Sequence, residues 1–145
     1  MFEVKVKYTK QLEDGTLKRV TEPYIVNAQS FTDAETMIYA QVGEFVRGEF
    51  IVTAIKRDNI VDIFEYEDSE TWYEGRISFS SLDADSGKSK EVTHKMLVTA
   101  NSVKGAYNRF GESLADMLSQ YEVKSVKETQ IQGILLPQEE EVAVQ

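Results

Sequence analysis

Seven residues near the start of the chain, Phe2-Glu3-Val4-Lys5-Val6-Lys7-Tyr8, return in class as Tyr73-Glu74-Gly75-Arg76-Ile77-Ser78-Phe79, 71 positions later. Val20-Thr21 and Tyr24-Ile25-Val26-Asn27-Ala28 return as Val92-Thr93 and Met96-Leu97-Val98-Thr99-Ala100 at an offset of 72, and Ser30 and Ala34 fall on Ser102 and Ala106. Phe50-Ile51-Val52-Thr53-Ala54-Ile55-Lys56 returns as Tyr121-Glu122-Val123-Lys124-Ser125-Val126-Lys127, at 71 again. An offset that drifts by one residue across so many blocks reads as a duplicated unit. A unit of about 65 residues is marginal alone, so the halves are expected to pack together as one compact domain.

Within one copy, Phe2, Val4, Val6 and Tyr8 alternate with Glu3, Lys5 and Lys7, the period-2 pattern of a half-buried strand. Asp14-Gly15 supplies a hairpin turn, and a second strand runs from about Leu17 to Ala28. Pro23 in that strand cannot donate to a ladder and suggests an edge, a bulge or a break. Thr32-Asp33-Ala34-Glu35 reads as a capping box for a helix whose stripe is Ala34, Met37, Ile38, Gln41/Val42 and Phe45, with Gly48 at its end. Phe50 to Arg57 is the third strand, so the unit is ββαβ.

The second copy repeats the order. Strand Trp72–Leu82, a turn at Asp85-Ser86-Gly87-Lys88 and strand Lys90–Ala100 precede a helix capped by Ser102. That helix carries Val103, Ala106, Tyr107, Phe110, Leu114, Met117 and Leu118, and Tyr121–Lys127 closes the unit. Ile131–Leu136 reads as a short apolar extension. The expected fold class is α+β: two tandem ββαβ repeats forming a two-layer domain with pseudo-twofold symmetry, both helices on one side of an antiparallel or mixed sheet. The expected boundaries are a first repeat over 1–60, an acidic linker over 61–71, a second repeat over 72–136 and a flexible acidic tail over 137–145.

The net charge of −9 is informative once it is located. Six acids and no base lie between Asp58 and Thr71 (Asp58, Asp62, Glu65, Glu67, Asp68, Glu70), and Glu139, Glu140 and Glu141 lie in the tail. These nine account for the whole excess, so the repeat bodies are neutral and overall acidity does not argue against a polyanionic ligand. The lack of cysteine removes disulfides, thiolate nucleophiles and Cys-based metal sites, and fits a reducing compartment. The first residues show no signal peptide and no apolar stretch nears the roughly 20 residues of a membrane helix, so a cytoplasmic protein without membrane contact is expected.

The strings Val20-Thr21-Glu22-Pro23-Tyr24-Ile25-Val26, Ser30-Phe31-Thr32-Asp33-Ala34-Glu35 and Gly48-Glu49-Phe50-Ile51-Val52-Thr53-Ala54-Ile55-Lys56-Arg57 resemble a domain-of-unknown-function family of Bacteroides-group gut bacteria and their phages. The resemblance covers residues 2–135, more weakly in the second half at Met96-Leu97-Val98 and Val123 to Glu128. It implies a small intracellular protein of bacterial or phage origin, and it brings no catalytic residues.

The chemistry-bearing residues point away from catalysis. His94 is the only histidine, which excludes a His-pair metal site, and no nucleophile elbow accompanies it. A surface strand histidine is the plainer reading. The pairs Glu65/Glu67 and Asp83/Asp85 lie in expected linker and turn, where carboxylates are solvated. Asp83-Ala84-Asp85-Ser86-Gly87 lacks the further ligands of a calcium loop, and there is no phosphate-binding glycine motif. No enzyme activity, metal or cofactor is expected.

Binding is the better expectation. With Val4, Val6, Ile77 and Phe79 turned to the helices, Lys5, Lys7, Trp72 and Arg76 project from the opposite face. Cations interleaved with an aromatic on an open sheet are what single-strand binders use, phosphates meeting Lys or Arg and bases stacking on the ring. Glu3 and Glu74 on the same face dilute the effect. The plainer reading is a solvated strand face with Trp72 as a core or interface anchor. The rival is protein binding, including a homodimer, through an edge strand or the aromatics Tyr24, Tyr66, Trp72, Tyr73 and Tyr107. The mixed segment Phe64-Glu65-Tyr66-Glu67-Asp68 suits docking on a basic surface. The tail is expected to compete for a cationic groove at high effective concentration.

Overall fold

A computed structural model describes residues 1–44, 46, 48–117 and 119–137. Phe45 and Leu118 of the expected helix stripes, and the tail after Pro137, lie outside the described residues. Among the described residues the fold is α+β, with two helices and two mixed sheets of four strands. The single sheet expected from the repeat is corrected: the strands divide between two sheets, each with its own helix, and the chain forms two compact units. Each three-stranded antiparallel ladder is extended by a short parallel strand of its own rather than by the other ladder.

The first unit takes Met1–Asp58 and the chain from Ile131 onward. Strands β1 (Phe2–Gln11) and β2 (Leu17–Val26) form a long hairpin in which Gly15, at φ +85°, makes the turn. Helix α1 (Phe31–Val42) leads to β3 (Phe50–Arg57), which pairs antiparallel with β1. The sheet order is β3-β1-β2-β8, where β8 (Ile134–Leu135) runs parallel to β2. Phe2, Val4 and Val6 meet Ala34, Ile38 and Val42 of α1 in one buried cluster completed by Leu135. Each such large apolar side chain contributes about 1.5–3 kcal/mol on burial.

Two local expectations change in this unit, and the alternatives for Pro23 narrow to the edge. The helix cap is Ser30, whose hydroxyl accepts from the Asp33 amide at 3.1 Å, because the helix begins at Phe31 and Thr32 is already inside it. The helix ends at Val42, so Gly48 lies beyond it. Pro23 neither breaks nor bulges β2. Its carbonyl accepts from Gln132 at 2.9 Å on the side away from β1, so its missing N–H also points away and removes no β1–β2 bond.

The second unit is Asn59–Gln130. Strand β5 (Thr71–Leu82) pairs antiparallel with β6 (Ser89–Ala100) and with β7 (Tyr121–Glu128), and α2 (Val103–Ser113) lies between β6 and β7 in the chain. Strand β4 (Ile60–Phe64) runs parallel to β6, giving the order β4-β6-β5-β7. Thus part of the stretch read as linker is a strand. Ser102 caps α2 as expected, accepting from the Gly105 amide at 2.9 Å. Tyr73, Ile77, Met96, Val98 and Ala100 pack with Ala106, Phe110 and Leu114. Where the first unit buries Val4 and Ile38 in one cluster, the second has Gly75 and Phe110. A Cβ on Gly75 would come within 2.5 Å of two Phe110 ring carbons.

Candidate nucleic-acid interface

Strand alternation puts odd-numbered β1 residues on the face of the first sheet opposite α1. There Lys5 is exposed, facing Pro23 on one neighbour and Ala54 on the other, and Lys7 is half-buried between Thr21 and Ile51. Glu3, on the same face, is engaged by Lys56 at 3.4 Å. Lys5 and Lys7 hold no ion pair among the described residues, so the carboxylate expected to dilute them is spent elsewhere.

The second sheet is arranged otherwise. Glu74 is 5% exposed and meets Lys95 at 2.8 Å and Lys127 at 3.2 Å. Burial opposes its charge, but the hydrogen bonds and charges of the two lysines outweigh it and hold the carboxyl below its ordinary range. Arg76 is exposed between Lys95 and Ser125. Trp72 lies on this face but is 4% exposed, so its ring offers no plane to a base. The expected stacking contact is corrected to packing. The structure therefore brings Lys5 and Lys7 together on one sheet, and Trp72 and Arg76 together on the other.

His94 is half-buried, with its ring 5.4 Å from that of Phe79. Among the described residues no group of His, Asp and Glu is placed to hold a metal ion, and no helix is long and apolar enough to cross a membrane. Of the expected aromatic anchors, Tyr24, Trp72 and Tyr73 are buried and only Tyr107 is exposed. Burial and the nearby Glu22 charge push the Tyr24 hydroxyl up to about 12. Burial, the Tyr8–Glu22 hydrogen bond and the Glu22 charge push Tyr8 up as well.

The family model described as "Domain of unknown function (DUF4494)" matches residues 1–138. The chain belongs to that family. Comparison with the curated proteins gives no match, and neither does comparison with the solved structures.

Sequence reasoning missed Arg109 in this family member. Its guanidinium donates to the Thr99 carbonyl at 2.7 Å and the Ser69 hydroxyl at 2.8 Å, grips both Asp68 oxygens and lies 4.2 Å from the Tyr66 ring centroid. The Arg109 hydrogen bond, with its charge, holds Asp68 below the usual carboxylate range despite some desolvation. The acidic, aromatic segment expected to dock on a basic surface thus docks on a basic residue of its own unit. Five donors in a rigid fork suit this role, which lysine cannot fill. The only signal was the mixture of aromatics and acids itself.

Along β7 the second unit carries a groove of about 550 Å³ lined by Val103, Tyr107, Val123 and Val126 among others. Val103 and Tyr107 are both more than half exposed there.

Proposed function

We propose that the chain is a non-enzymatic binding protein of bacterial or phage nucleic-acid metabolism, working in the cytoplasm, with single-stranded DNA or RNA as its ligand. The observation that carries this reading is the exposed face of the first sheet, where Lys5 and Lys7 hold no ion pair among the described residues while Glu3 is neutralised by Lys56. Such cations attract phosphates without sequence preference. Arg76 adds a further exposed cation on the second sheet. Trp72 has no part in the contact, so affinity rests on phosphate binding and is steeply salt-dependent.

The same reading takes the two units as duplicated ββαβ copies. Supporting this, the β1 ladder with β3 shifts register between Lys5 and Val6, and the β5 ladder with β7 shifts between Arg76 and Ile77, at the repeat offset of 71. Ser30 and Ser102 cap their helices in the same way, 72 residues apart.

The test is fluorescence anisotropy with a 20-nucleotide single strand over a range of salt. Lys5→Glu/Lys7→Glu/Arg76→Glu should abolish binding while the circular dichroism spectrum is retained. Absence of binding by the unaltered chain at low salt would refute the reading. The second reading, a protein adaptor, assembly or inhibitor protein without nucleic-acid contact, is favoured by the groove beside β7 with its exposed Val103 and Tyr107. That reading predicts that Tyr107→Ala disrupts complex formation and leaves oligonucleotide behaviour unchanged.

A further inference from the structure

The hairpin of β1 and β2 continues past its sheet. Strand β3 pairs with β1 only from Phe2 to Tyr8, and β8 pairs with β2 only at Ile25 and Val26. From Thr9 to Arg19 the two strands have no strand neighbour but each other among the described residues, and every residue there is exposed. A two-stranded ribbon is marginal by itself. This one also sets Lys10 directly opposite Lys18, a like-charge pair that opposes the pairing. Glu22, which accepts from the Tyr8 hydroxyl, reaches Lys10 at 3.7 Å, and Lys18 and Arg19 hold no ion pair among the described residues. Asp14 is engaged in the turn, where it accepts from the Thr16 amide at 2.9 Å.

Arg19 faces Thr9, which lies two residues beyond Lys7 on the same face of β1. Lys5, Lys7 and Arg19 therefore form one row that runs off the sheet and onto the ribbon. Lys10 and Lys18 occupy the ribbon's other face. Leu12 and Leu17 stand exposed beside the turn, Leu17 at 68%.

The second hairpin is an internal contrast. Its ribbon, Ser80–Val92, also lies beyond the pairing of β7 and β4. There Asp83, Asp85 and Glu91 outnumber Lys88 and Lys90, and Lys124 is 3.5 Å from Glu91. The build is shared and the charge bias is not.

We propose that the Thr9–Val20 ribbon is a second contact for the same nucleic-acid strand, which passes along the ribbon's edge so that Arg19 reaches a phosphate from one face and Lys18 and Lys10 reach phosphates from the other, with Leu12 and Leu17 against unstacked bases. This rests on the nucleic-acid reading of the Lys5/Lys7 face and extends it to a named arm. A phosphate supplies the anion that Lys18, unlike Lys10, lacks among the described residues, so a bound strand steadies the ribbon.

The experiment uses the full chain, a 20-nucleotide single-stranded DNA probe and anisotropy titrations from low to moderate salt. Lys18→Glu/Arg19→Glu should weaken binding at least tenfold and reduce the slope of log affinity against log salt by about 1.4, the value for two single-strand phosphate contacts. Lys88→Glu/Lys90→Glu, an equal charge change on the other ribbon, should cost less than about threefold through long-range repulsion alone. If the charge reversal unfolds the chain, Lys18→Thr/Arg19→Thr uses residues suited to strands and should still weaken binding severalfold. Equal effects of the two ribbon variants, with binding still lost on Lys5→Glu/Lys7→Glu, would overturn the ribbon and leave the sheet face standing. No binding by the unaltered chain would overturn both.

Discussion

The close approach of Gly75 to Phe110 makes a quantitative prediction about the second unit. Both positions have counterparts in the first unit, Val4 at the 71 offset and Ile38 at 72, and all four side-chain sites are buried. Gly75→Val alone places a Cβ 2.5 Å from two carbons of a fully buried ring, about 1 Å inside ordinary carbon–carbon contact. Overpacking of this kind costs about 1–3 kcal/mol, partly offset by about 0.4–1 kcal/mol from the stiffer unfolded chain. Phe110→Ile alone leaves a void beside Gly75, at a cost of about 1–3 kcal/mol. Together the two changes install the first unit's pair, so the double variant should recover at least about 1 kcal/mol relative to the sum of the singles. Trp72, the only tryptophan, lies in the second unit, so its fluorescence during urea unfolding reports on that unit. Additivity within about 0.5 kcal/mol, or a Gly75→Val chain as stable as the parent, would refute the reasoning.

Arg109→Lys should cost the second unit about 1–3 kcal/mol and speed amide exchange from Tyr66 to Ser69, because lysine cannot hold the Thr99 carbonyl, Ser69 and both Asp68 oxygens together. Leu135→Ala should cost the first unit about 2–3 kcal/mol, since Leu135 joins its buried cluster, and exchange at Ile25 and Asn27 should rise most. Glu74 titrates lower folded than unfolded, so its stabilising effect is complete above its ordinary value near 4.5 and is lost as pH falls through the folded carboxyl's lower value. Glu74→Gln should flatten that acid limb of the stability profile, and an unchanged limb would remove Glu74 from the account.

What was legible in the chain was whatever a period or an offset could encode. Alternation at Phe2–Tyr8 marked the buried face correctly and Ser102 announced its cap, whereas at Tyr73–Phe79 it placed Tyr73 and Ile77 inward but did not register that Glu74 and Ser78 on the other face are buried as well. Ser30 was equally visible as the partner of Ser102, but the Thr32/Glu35 spacing suggested a rival cap two residues on. Strand β4 was hidden because Ile60-Val61-Asp62-Ile63-Phe64 is a short apolar run leading into a belt of acids, which read as linker. The alternation placed Trp72 on the correct face and yet could not reveal that this part of the face is covered, since burial depends on what arrives from elsewhere in the chain. Arg109 escaped for a related reason. Its partner Asp68 is 41 residues away, and no local pattern records a contact of that range.

The position of β8 has a consequence for how the protein is made. The strands and helix of the first unit, Phe2–Arg57, leave the ribosome early, but the strand that borders β2 and supplies Leu135 to the core is encoded after the whole of the second unit. At about 5–20 residues per second, the N-terminal unit waits roughly 4–16 s with the Ile25–Val26 edge uncovered and a vacancy in its core. Such an edge is a template for other strands. Translation that stalls anywhere before Ile134 therefore releases a chain whose oldest part is its least finished, and ribosome pausing in the second half becomes a hazard for the first.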